Sequence, residues 1–371
     1  MDIFTDPNAK MAALPPNNVS QDVKQSPPID VRKPYDLAWI SGKHIIVTGG
    51  ATGFGEAFVR QWAGAGASLV VGDINVEQGD KAVRAIRNDT GNKNVHFVAC
   101  DVTDWQQQVH LFKEAVRLSP HGGIDVVVAN AGVADPEGLQ MPKDLSAAEP
   151  RKPNFKVIDV NLYGLLYTTH LAIYWLPRNP GSEPASPESD PATRTRDRCL
   201  LLLGSLASLA PIPNVPLYGT SKHAVLGLFR SLRASLFADG IRIGMLCPYF
   251  IETAMSPAPL RALLAGGGVG KVEDVVDAAS RIVADSTIHG RALAVGPKVK
   301  VQQQEDGEWI VVSKEAEGET TAVWDVHAHD FDDAERFTVR MVQILKGIES
   351  VKGWVGWFRD MAGAIKYGIF G

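Results

Sequence analysis

The stretch Thr48-Gly49-Gly50-Ala51-Thr52-Gly53-Phe54-Gly55 decides the fold of this chain. It closes the apolar run His44–Thr48 and leads directly into a helix-length segment, Gly53–Ala65. Glycines in such a turn let the backbone bend tightly and approach a pyrophosphate, which the positive end of the following helix stabilises. A strand, a glycine-rich turn and a helix in this order predict a dinucleotide-binding site.

Short apolar runs alternate with helical patterns across most of the chain. These runs are continuously hydrophobic, as expected for strands that are buried on both faces. Repeated β-α-β units predict an α/β fold: a doubly wound, seven-stranded parallel Rossmann sheet with helices on both faces. The predicted strands are His44–Thr48, Ser68–Asp73, Val95–Cys100, Val126–Ala129, Cys199–Ser205, Arg242–Cys247 and Arg291–Val295.

The same rhythm predicts the domain organisation. Residues 42–297 form the Rossmann domain, preceded by a flexible extension over residues 1–41. A polar, Pro- and Ser-rich stretch at 178–198 follows a helix and precedes a strand, which predicts a surface insertion on the edge away from the ligand. Residues 298–371 are expected to form a hairpin, from Val299–Gln303 and Glu308–Val312, and an amphipathic helical tail.

Composition excludes several classes of protein. The net charge of −5 and the pI near 6 leave no electrostatic footprint for nucleic acid. The three cysteines, Cys100, Cys199 and Cys247, form no paired framework, and no run has the length and apolarity of a signal peptide or membrane span. A cytoplasmic location is expected. The apolar stripe from Trp354 to Ile369 predicts packing on the domain or on another subunit, with a membrane-surface anchor as the less favoured alternative.

Tyr218 and Lys222 carry the candidate chemistry. Residues four apart share one face of a helix, so an ammonium group beside the Tyr218 phenol is expected to lower its pKa from about 10. A tyrosine tuned in this way is a general acid or base for an alcohol–ketone pair. The spacing alone is a weak signal.

Asp73 indicates which cofactor binds. It ends the second strand, where a carboxylate accepts hydrogen bonds from the adenosine ribose and repels a ribose phosphate. No Arg or Lys lies in the glycine turn. The chain is therefore predicted to use NAD rather than NADP.

In combination, these residues resemble the short-chain dehydrogenase/reductase family. The resemblance rests on Thr48-Gly49-x-x-x-Gly53-x-Gly55, Asn130-Ala131-Gly132, Asn161, Ser205 and Tyr218-x-x-x-Lys222, and covers about residues 42–297. The long insertions and termini resemble filamentous-fungal members, some of which act in secondary metabolism. The family commonly forms homodimers or homotetramers, here through Phe155–Leu176 and Tyr218–Asp239. One departure is Pro248-Tyr249 where the family usually has Pro-Gly, which is expected to reshape the substrate pocket.

The resemblance implies a role for each site residue. Tyr218 acts as acid and base, Ser205 hydrogen-bonds the substrate oxygen, Lys222 lowers the tyrosine pKa and binds the nicotinamide ribose, and Asn161 holds a water that links Lys222 to solvent. Asp101 and Val102 contact the adenine, and Thr253 reaches the nicotinamide. The expected cofactor-binding set is Gly49, Gly53, Phe54, Gly55, Asp73, Asp101, Val102, Asn130, Ala131, Gly132, Tyr218, Lys222 and Thr253.

The chain is thus predicted to be an NAD-dependent oxidoreductase acting on a lipophilic secondary alcohol or ketone, because apolar residues dominate 206–218 and 249–264. Two alternatives stay open: a ketoreductase that runs in the reductive direction, and an NAD-binding scaffold without turnover. No metal is expected, because His327-Ala328-His329 matches no metal-ligand motif.

Overall fold

The computed structural model describes residues 26–134, 139, 146, 148–186, 190–193, 196–251, 268–304, 309–313, 316–326, 341, 344 and 347. One compact unit, Gln25–Ala328, contains the whole fold presented below. The predicted helical tail lies outside the described residues apart from positions 341, 344 and 347. Thr253, His327 and His329 also lie outside them.

Seven parallel strands form the body of one sheet, as predicted. Their spatial order is β3-β2-β1-β4-β5-β6-β7, and the order reverses direction between β1 and β4. A doubly wound sheet binds its ligand at such a switch point, outside the carboxyl ends of the strands. The strands are β1 (His44–Thr48), β2 (Ser68–Asp73), β3 (Val95–Ala99), β4 (Val126–Ala129), β5 (Cys199–Leu203), β6 (Arg242–Pro248) and β7 (Arg291–Gln303).

Helices cover both faces of the sheet. A π-helical turn, Asp159–Gly164, and a short helical turn, Lys156–Ile158, lead into α4 without interruption. None of the helices in the described part of the chain is long and apolar enough to span a membrane. The helices are α1 (Gly53–Gly64), α2 (Val76–Thr90), α3 (Trp105–Leu118), α4 (Leu165–Trp175), α5 (Pro216–Ala238) and α6 (Val272–Ala284).

The core consists of two apolar layers, one on each face of the sheet. Successive side chains of a strand point to opposite faces. Ile45 and Val47 of β1 therefore join the layer under α1 and α6, while Ile46 joins the layer under α3, α4 and α5. Both layers need apolar residues, which explains why these strands are uniformly hydrophobic.

The sheet continues beyond the seven parallel strands. The predicted strand Val299–Gln303 is the second half of β7, and it pairs antiparallel with β8 (Trp309–Val311), the other arm of the predicted hairpin. A further strand, β9 (Glu319–Val326), pairs antiparallel along β7 and was not predicted. Its alternating pattern, Thr-Ala-Trp-Val at 320, 322, 324 and 326, was the signal in the sequence.

Residues 26–41 of the predicted flexible extension are ordered against the domain. Trp39 and Ile40 are buried, and Ile29 packs against the core. Backbone atoms of this segment bond to the domain: the Ile29 N–H donates to Asp325 Oδ2 at 2.8 Å, and Arg291 donates to the Pro27 carbonyl at 3.1 Å. Apolar residues among the prolines make this segment part of the fold.

The predicted insertion at 178–198 does lie at the amino edge of the sheet, but its two ends are buried in the fold. Asn179 donates to Asp125 Oδ1 at 2.6 Å, just before β4. Asp197 accepts from Lys43 Nζ at 2.6 Å and from Arg242 Nε, and all three side chains are buried. Burial raises the pKa of Asp197, but the charges of Arg242 and Lys43 outweigh it and hold this pKa below the ordinary value.

Candidate active site

The glycine turn between β1 and α1 forms the floor of the site. Gly49 and Gly53 have φ of +63° and +59°, in the left-handed region that favours glycine. Gly55 is needed for a different reason: a Cβ there would lie 2.3 Å from the Gly49 carbonyl oxygen and 2.7 Å from Asn130 Nδ2. The backbone of the turn is therefore open to a ligand on one side and tightly packed against Asn130 on the other.

Asp73 joins the end of β2 to this turn. Its Oδ2 accepts from the Ala51 N–H at 3.0 Å, and its Oδ1 accepts from the Asn75 N–H at 2.9 Å. Both carboxylate oxygens thus accept hydrogen bonds from backbone N–H groups, and Asp73 also lines the cavity described next. This placement leaves negative charge beside the glycine turn, at the end of the cavity away from Tyr218.

A cavity of about 870 Å³ runs along the carboxyl edge of the sheet. It extends from Asp73 and the glycine turn to Tyr218 and Lys222, so the structure brings most of the predicted residues to one surface. Gly55, Asn161 and Ser205 are not among the residues that line it. The predicted residues that do are Gly49, Gly53, Phe54, Asp73, Asp101, Val102, Asn130, Ala131, Gly132, Tyr218 and Lys222.

Asn130 and Asp101 are held by local hydrogen bonds. Asn130 Nδ2 donates to the carbonyls of Thr48 and Gly49, each at 2.9 Å, and so fixes the glycine turn to β4. Asp101 Oδ1 accepts from the N–H and the hydroxyl of Thr103 at 2.9 and 2.8 Å. Asp104, by contrast, caps α3 by accepting from the Gln106 N–H at 2.8 Å.

Asn161 lies in the π-helical turn, and its fully buried side chain holds the segment after β4. Its Oδ1 accepts from the Val133 N–H at 2.8 Å, and its Nδ2 donates to the Val133 carbonyl at 3.0 Å. The same Nδ2 lies 3.4 Å from Ser221 Oγ, which donates to the Tyr218 carbonyl at 2.7 Å. Ser221 thus connects Asn161 to the backbone of Tyr218.

Ser205 follows β5 and begins a short 3-10 turn, Leu206–Ser208. Its Oγ accepts from the Ala207 N–H at 3.1 Å, and Ser208 Oγ accepts from the Ser205 N–H at 3.2 Å. This reciprocal cap fixes the Ser205 backbone. Ser208 is therefore the residue that positions Ser205.

Tyr218 lies in the first turn of α5 with Lys222 one turn later. Lys222 Nζ is 5.8 Å from the centre of the tyrosine ring and donates to the Leu203 carbonyl at 2.9 Å. Ser205 hydrogen-bonds the Tyr218 side chain, which lowers the tyrosine pKa. Tyrosine, serine and lysine thus lie close together where β5 ends.

The pKa of Tyr218 differs from the sequence-based expectation. Burial raises it above 10, and this outweighs the hydrogen bond from Ser205. Burial also lowers the pKa of Lys222 to about 8, because little water reaches the ammonium group. The predicted lowering of the tyrosine pKa by Lys222 is therefore wrong as a net effect: desolvation of the phenol dominates.

Within the described residues, no group of three or more His, Cys, Asp or Glu side chains is arranged to hold a metal ion. The three cysteines are free and buried. Cys247 lies close to the site: burial raises the pKa of its thiol to about 12, while the Ser205 backbone and the Lys222 charge lower it.

The fold and the site define an oxidoreductase that binds a nicotinamide cofactor. The family model for short chain dehydrogenases matches residues 43–182 and 200–261, more than half of the chain. The chain therefore belongs to the short-chain dehydrogenase family. The residues that line the cavity fit such a cofactor, because the glycine turn and the start of α1 face one end of it and Tyr218 the other.

Particular relatives sharpen this assignment. The chain is 35% identical over 288 residues to a 5'-hydroxyaverantin dehydrogenase from the fungus Dothistroma septosporum, covering 74% of this chain and 90% of the relative. It is 31% identical to an NADP-dependent dehydrogenase M3 from Phoma sp., covering 73% of this chain and 79% of the relative. A crystal structure of a 3-ketoacyl-(acyl-carrier-protein) reductase from Brucella melitensis with NADH has the same fold, with a TM-score of 0.55 and 24% identity over 69% of this chain and 97% of that one.

Proposed function

We propose that this protein is an NAD-dependent dehydrogenase that oxidises a lipophilic secondary alcohol to a ketone in fungal secondary metabolism. The observation that carries the proposal is that Tyr218 and Lys222, with Ser205 beside them, lie at one end of a cavity whose other end is the glycine turn and Asp73. The name of the Dothistroma relative, a dehydrogenase of a hydroxylated compound, supports the same reaction type.

Tyr218 is the proposed acid and base. In the oxidative direction its phenolate takes the hydroxyl proton while the carbinol C–H bond breaks. The C–O single bond becomes the C=O double bond of a ketone. A bound nicotinamide cofactor would supply the acceptor for the hydride that leaves this carbon. The two electrons thus leave with the hydride and the proton leaves through Tyr218, so the reaction is balanced.

Ser205 and Lys222 support this proton transfer. The Ser205 hydroxyl, fixed by its reciprocal cap with Ser208, donates to the substrate oxygen as negative charge develops. Lys222 stabilises the phenolate electrostatically and bonds the cofactor ribose. Because the pKa of Tyr218 is raised, this stabilisation requires the Lys222 ammonium to remain charged when the site is filled.

Asn161 is the proposed end of the proton path. Its side-chain amide hydrogen-bonds both backbone groups of Val133 and lies close to Ser221. It therefore orients the segment after β4 beside Lys222. A water held by the surrounding π-helical turn would then pass the proton from Lys222 to solvent. Asp101, Val102 and Thr253 complete the proposed cofactor contacts.

Replacing Tyr218 by Phe tests the assignment. The variant keeps the ring and loses only the hydroxyl, so we expect kcat to fall by about 1000-fold, within the range for a general acid–base group. NAD binding, measured by calorimetry, should stay within a few-fold of the original. Tyr174→Phe, an exposed tyrosine on α4, is the matched control and should keep its activity. A Tyr218→Phe variant with unchanged turnover would contradict the proposal.

NAD preference is proposed from Asp73. Its carboxylate lines the cavity beside the glycine turn, where it favours ribose hydroxyls and repels a ribose phosphate. The Phoma relative is NADP-dependent, so the alternative is a reductive, NADP-dependent ketoreductase. We expect kcat/KM for NAD to exceed that for NADP, and the Asp73→Asn variant to lose about 10-fold of this preference. Equal efficiency with both cofactors in the unaltered protein would defeat the NAD assignment.

We also propose a cytoplasmic homodimer or homotetramer that forms through α4 and α5. Phe155 supports it, since it is 46% exposed at the start of the predicted interface segment Phe155–Leu176, where a partner subunit would cover it. Light scattering of the purified protein measures the assembly, and a monomer at micromolar concentration would contradict it.

A further inference from the structure

The strands added beyond β7 bring aromatic side chains to the carboxyl edge of the sheet. Trp324 of β9 lies opposite Ala294 of β7. A Cβ on Gly296 would lie 3.2 Å from Trp324 Cζ3 and 3.6 Å from Tyr249 Cβ. The Trp324 ring and Tyr249 therefore meet over the same glycine, which is the only residue type that leaves this space open.

Tyr249 directly follows the carboxyl end of β6, on the side of the sheet where the site lies. The Cys247 side chain lies beside Ser205 and Lys222, and Tyr249 is two residues further along on the same face of the strand. The Tyr249 N–H donates to the Val295 carbonyl at 2.7 Å, so the strand pairing continues through this residue. Strand spacing places the Tyr249 backbone roughly 6–8 Å from that of Ser205.

Phe250 extends the aromatic surface. Its ring meets the Tyr249 ring edge to face, with centroids 4.8 Å apart. The Gly270 N–H donates to the Phe250 carbonyl at 2.9 Å, which fixes the backbone there. Tyr249, Phe250 and Trp324 are each partly exposed rather than buried.

We propose that Trp324 and Tyr249 form an aromatic wall of the substrate pocket that selects a secondary alcohol carrying a planar aromatic ring system. Aromatic rings prefer offset or edge-to-face contact with other rings, which an aliphatic wall does not provide. The wall depends on β9, because only that strand carries Trp324 to the edge of the sheet. This inference rests on the proposed dehydrogenase function and narrows its substrate class.

Paired substrates test the wall. With NAD, kcat/KM is measured for methyl naphthyl carbinol and for its saturated counterpart, methyl decalinyl carbinol. Trp324→Leu should lower kcat/KM for the aromatic alcohol by about 3- to 12-fold, through KM, and change the saturated one by less than about 2-fold. Trp324→Phe should recover most of the aromatic preference. Val311→Ala, an exposed residue of β8, is the control for changes in the added strands and should leave both values unaltered.

Two results would overturn the wall: equal losses for both alcohols in Trp324→Leu, or no loss for either. A folding defect is checked by the thermal midpoint, and the Tyr249→Leu variant provides a second route to the same readout. If the unaltered protein oxidises neither alcohol, the dehydrogenase proposal fails. The wall is then judged by calorimetry with methyl naphthyl ketone, where Kd should rise about 3- to 12-fold in Trp324→Leu. An unchanged Kd would overturn the wall as well.

Discussion

The two edges of the sheet use charge in opposite ways. At the amino edge, Asp197 lies between Lys43 and Arg242, and every one of these buried charges has its counter-ion. At the carboxyl edge, the buried ammonium of Lys222 bonds a carbonyl, and burial lowers its pKa to about 8. One edge is arranged for stability. The other keeps a costly charge where the proposed reaction needs it.

The backbone also differs between the two edges: strand ends are tied together at the amino edge, and the glycine turn is open at the carboxyl edge. At the amino edge, Asp125 accepts from the His44 N–H at 2.7 Å and from Asn179, so strand ends are tied to one another. At the carboxyl edge, Gly49 and Gly53 hold left-handed conformations and the turn stays open to a ligand. Stability and ligand binding thus depend on opposite edges of the sheet, which permits each to be altered alone.

The largest expected effect is on stability, from Asp197→Ala at the amino edge. The change leaves Lys43 and Arg242 buried without their counter-ion, so the free energy of unfolding should fall by about 3–5 kcal/mol. Urea unfolding measures this loss. Activity per folded molecule should be unchanged at low temperature. Removing Glu114, which pairs with the exposed Arg117, is the control and should have no measurable effect.

A smaller loss is expected at the carboxyl edge from Gly55→Ala. The new Cβ would lie 2.3 Å from the Gly49 carbonyl oxygen, so the glycine turn must shift at a cost of about 1–3 kcal/mol. The shift should also weaken NAD binding by about 10-fold or more, as measured by calorimetry. Gly64→Ala at the other end of α1 meets its nearest atom only at 4.0 Å and is the matched control. If both variants bind NAD equally well, the close-approach role of Gly55 is wrong.

The smallest effect is a gain, from Lys222→Met measured without cofactor. The folded-state pKa of Lys222, about 8, lies below its unfolded value of 10.5, so the folded protein binds fewer protons between these pH values. The stability of the original protein therefore rises as the pH increases through that window. Below pH 8, the buried charge of Lys222 destabilises the folded state to its full extent. Losing the hydrogen bond to Leu203 offsets part of the gain, which leaves about 1–2 kcal/mol at pH 7.

Thermal unfolding at pH 7 and near pH 10.5 measures this gain, which should disappear at the higher pH. Turnover should be lost at both, because the proposed mechanism needs the ammonium. A Lys222→Met protein that is less stable than the original at pH 7 would show that the amino and carboxyl edges do not differ in this respect.

The sequence could point to most of the candidate site because its signals are local in the chain. Tyr218 and Lys222 share one helix, and the glycine turn joins one strand to one helix. The residues that position them were missed for the opposite reason. Ser221, Ser208 and the Val133 backbone act through contacts between distant segments, and an isolated serine carries no signal of its partner.

The sequence by itself determined the parallel sheet, its ligand edge and the family, because apolar periodicity and glycine spacing act over short distances along the chain. Tertiary structure alone decided the sign of the Tyr218 pKa shift, since burial depends on everything packed around the phenol. It also decided that residues from 26 onward belong to the domain and that Trp324 lies beside Tyr249 and Gly296. These are contacts between segments far apart in the chain, and no local pattern specifies them.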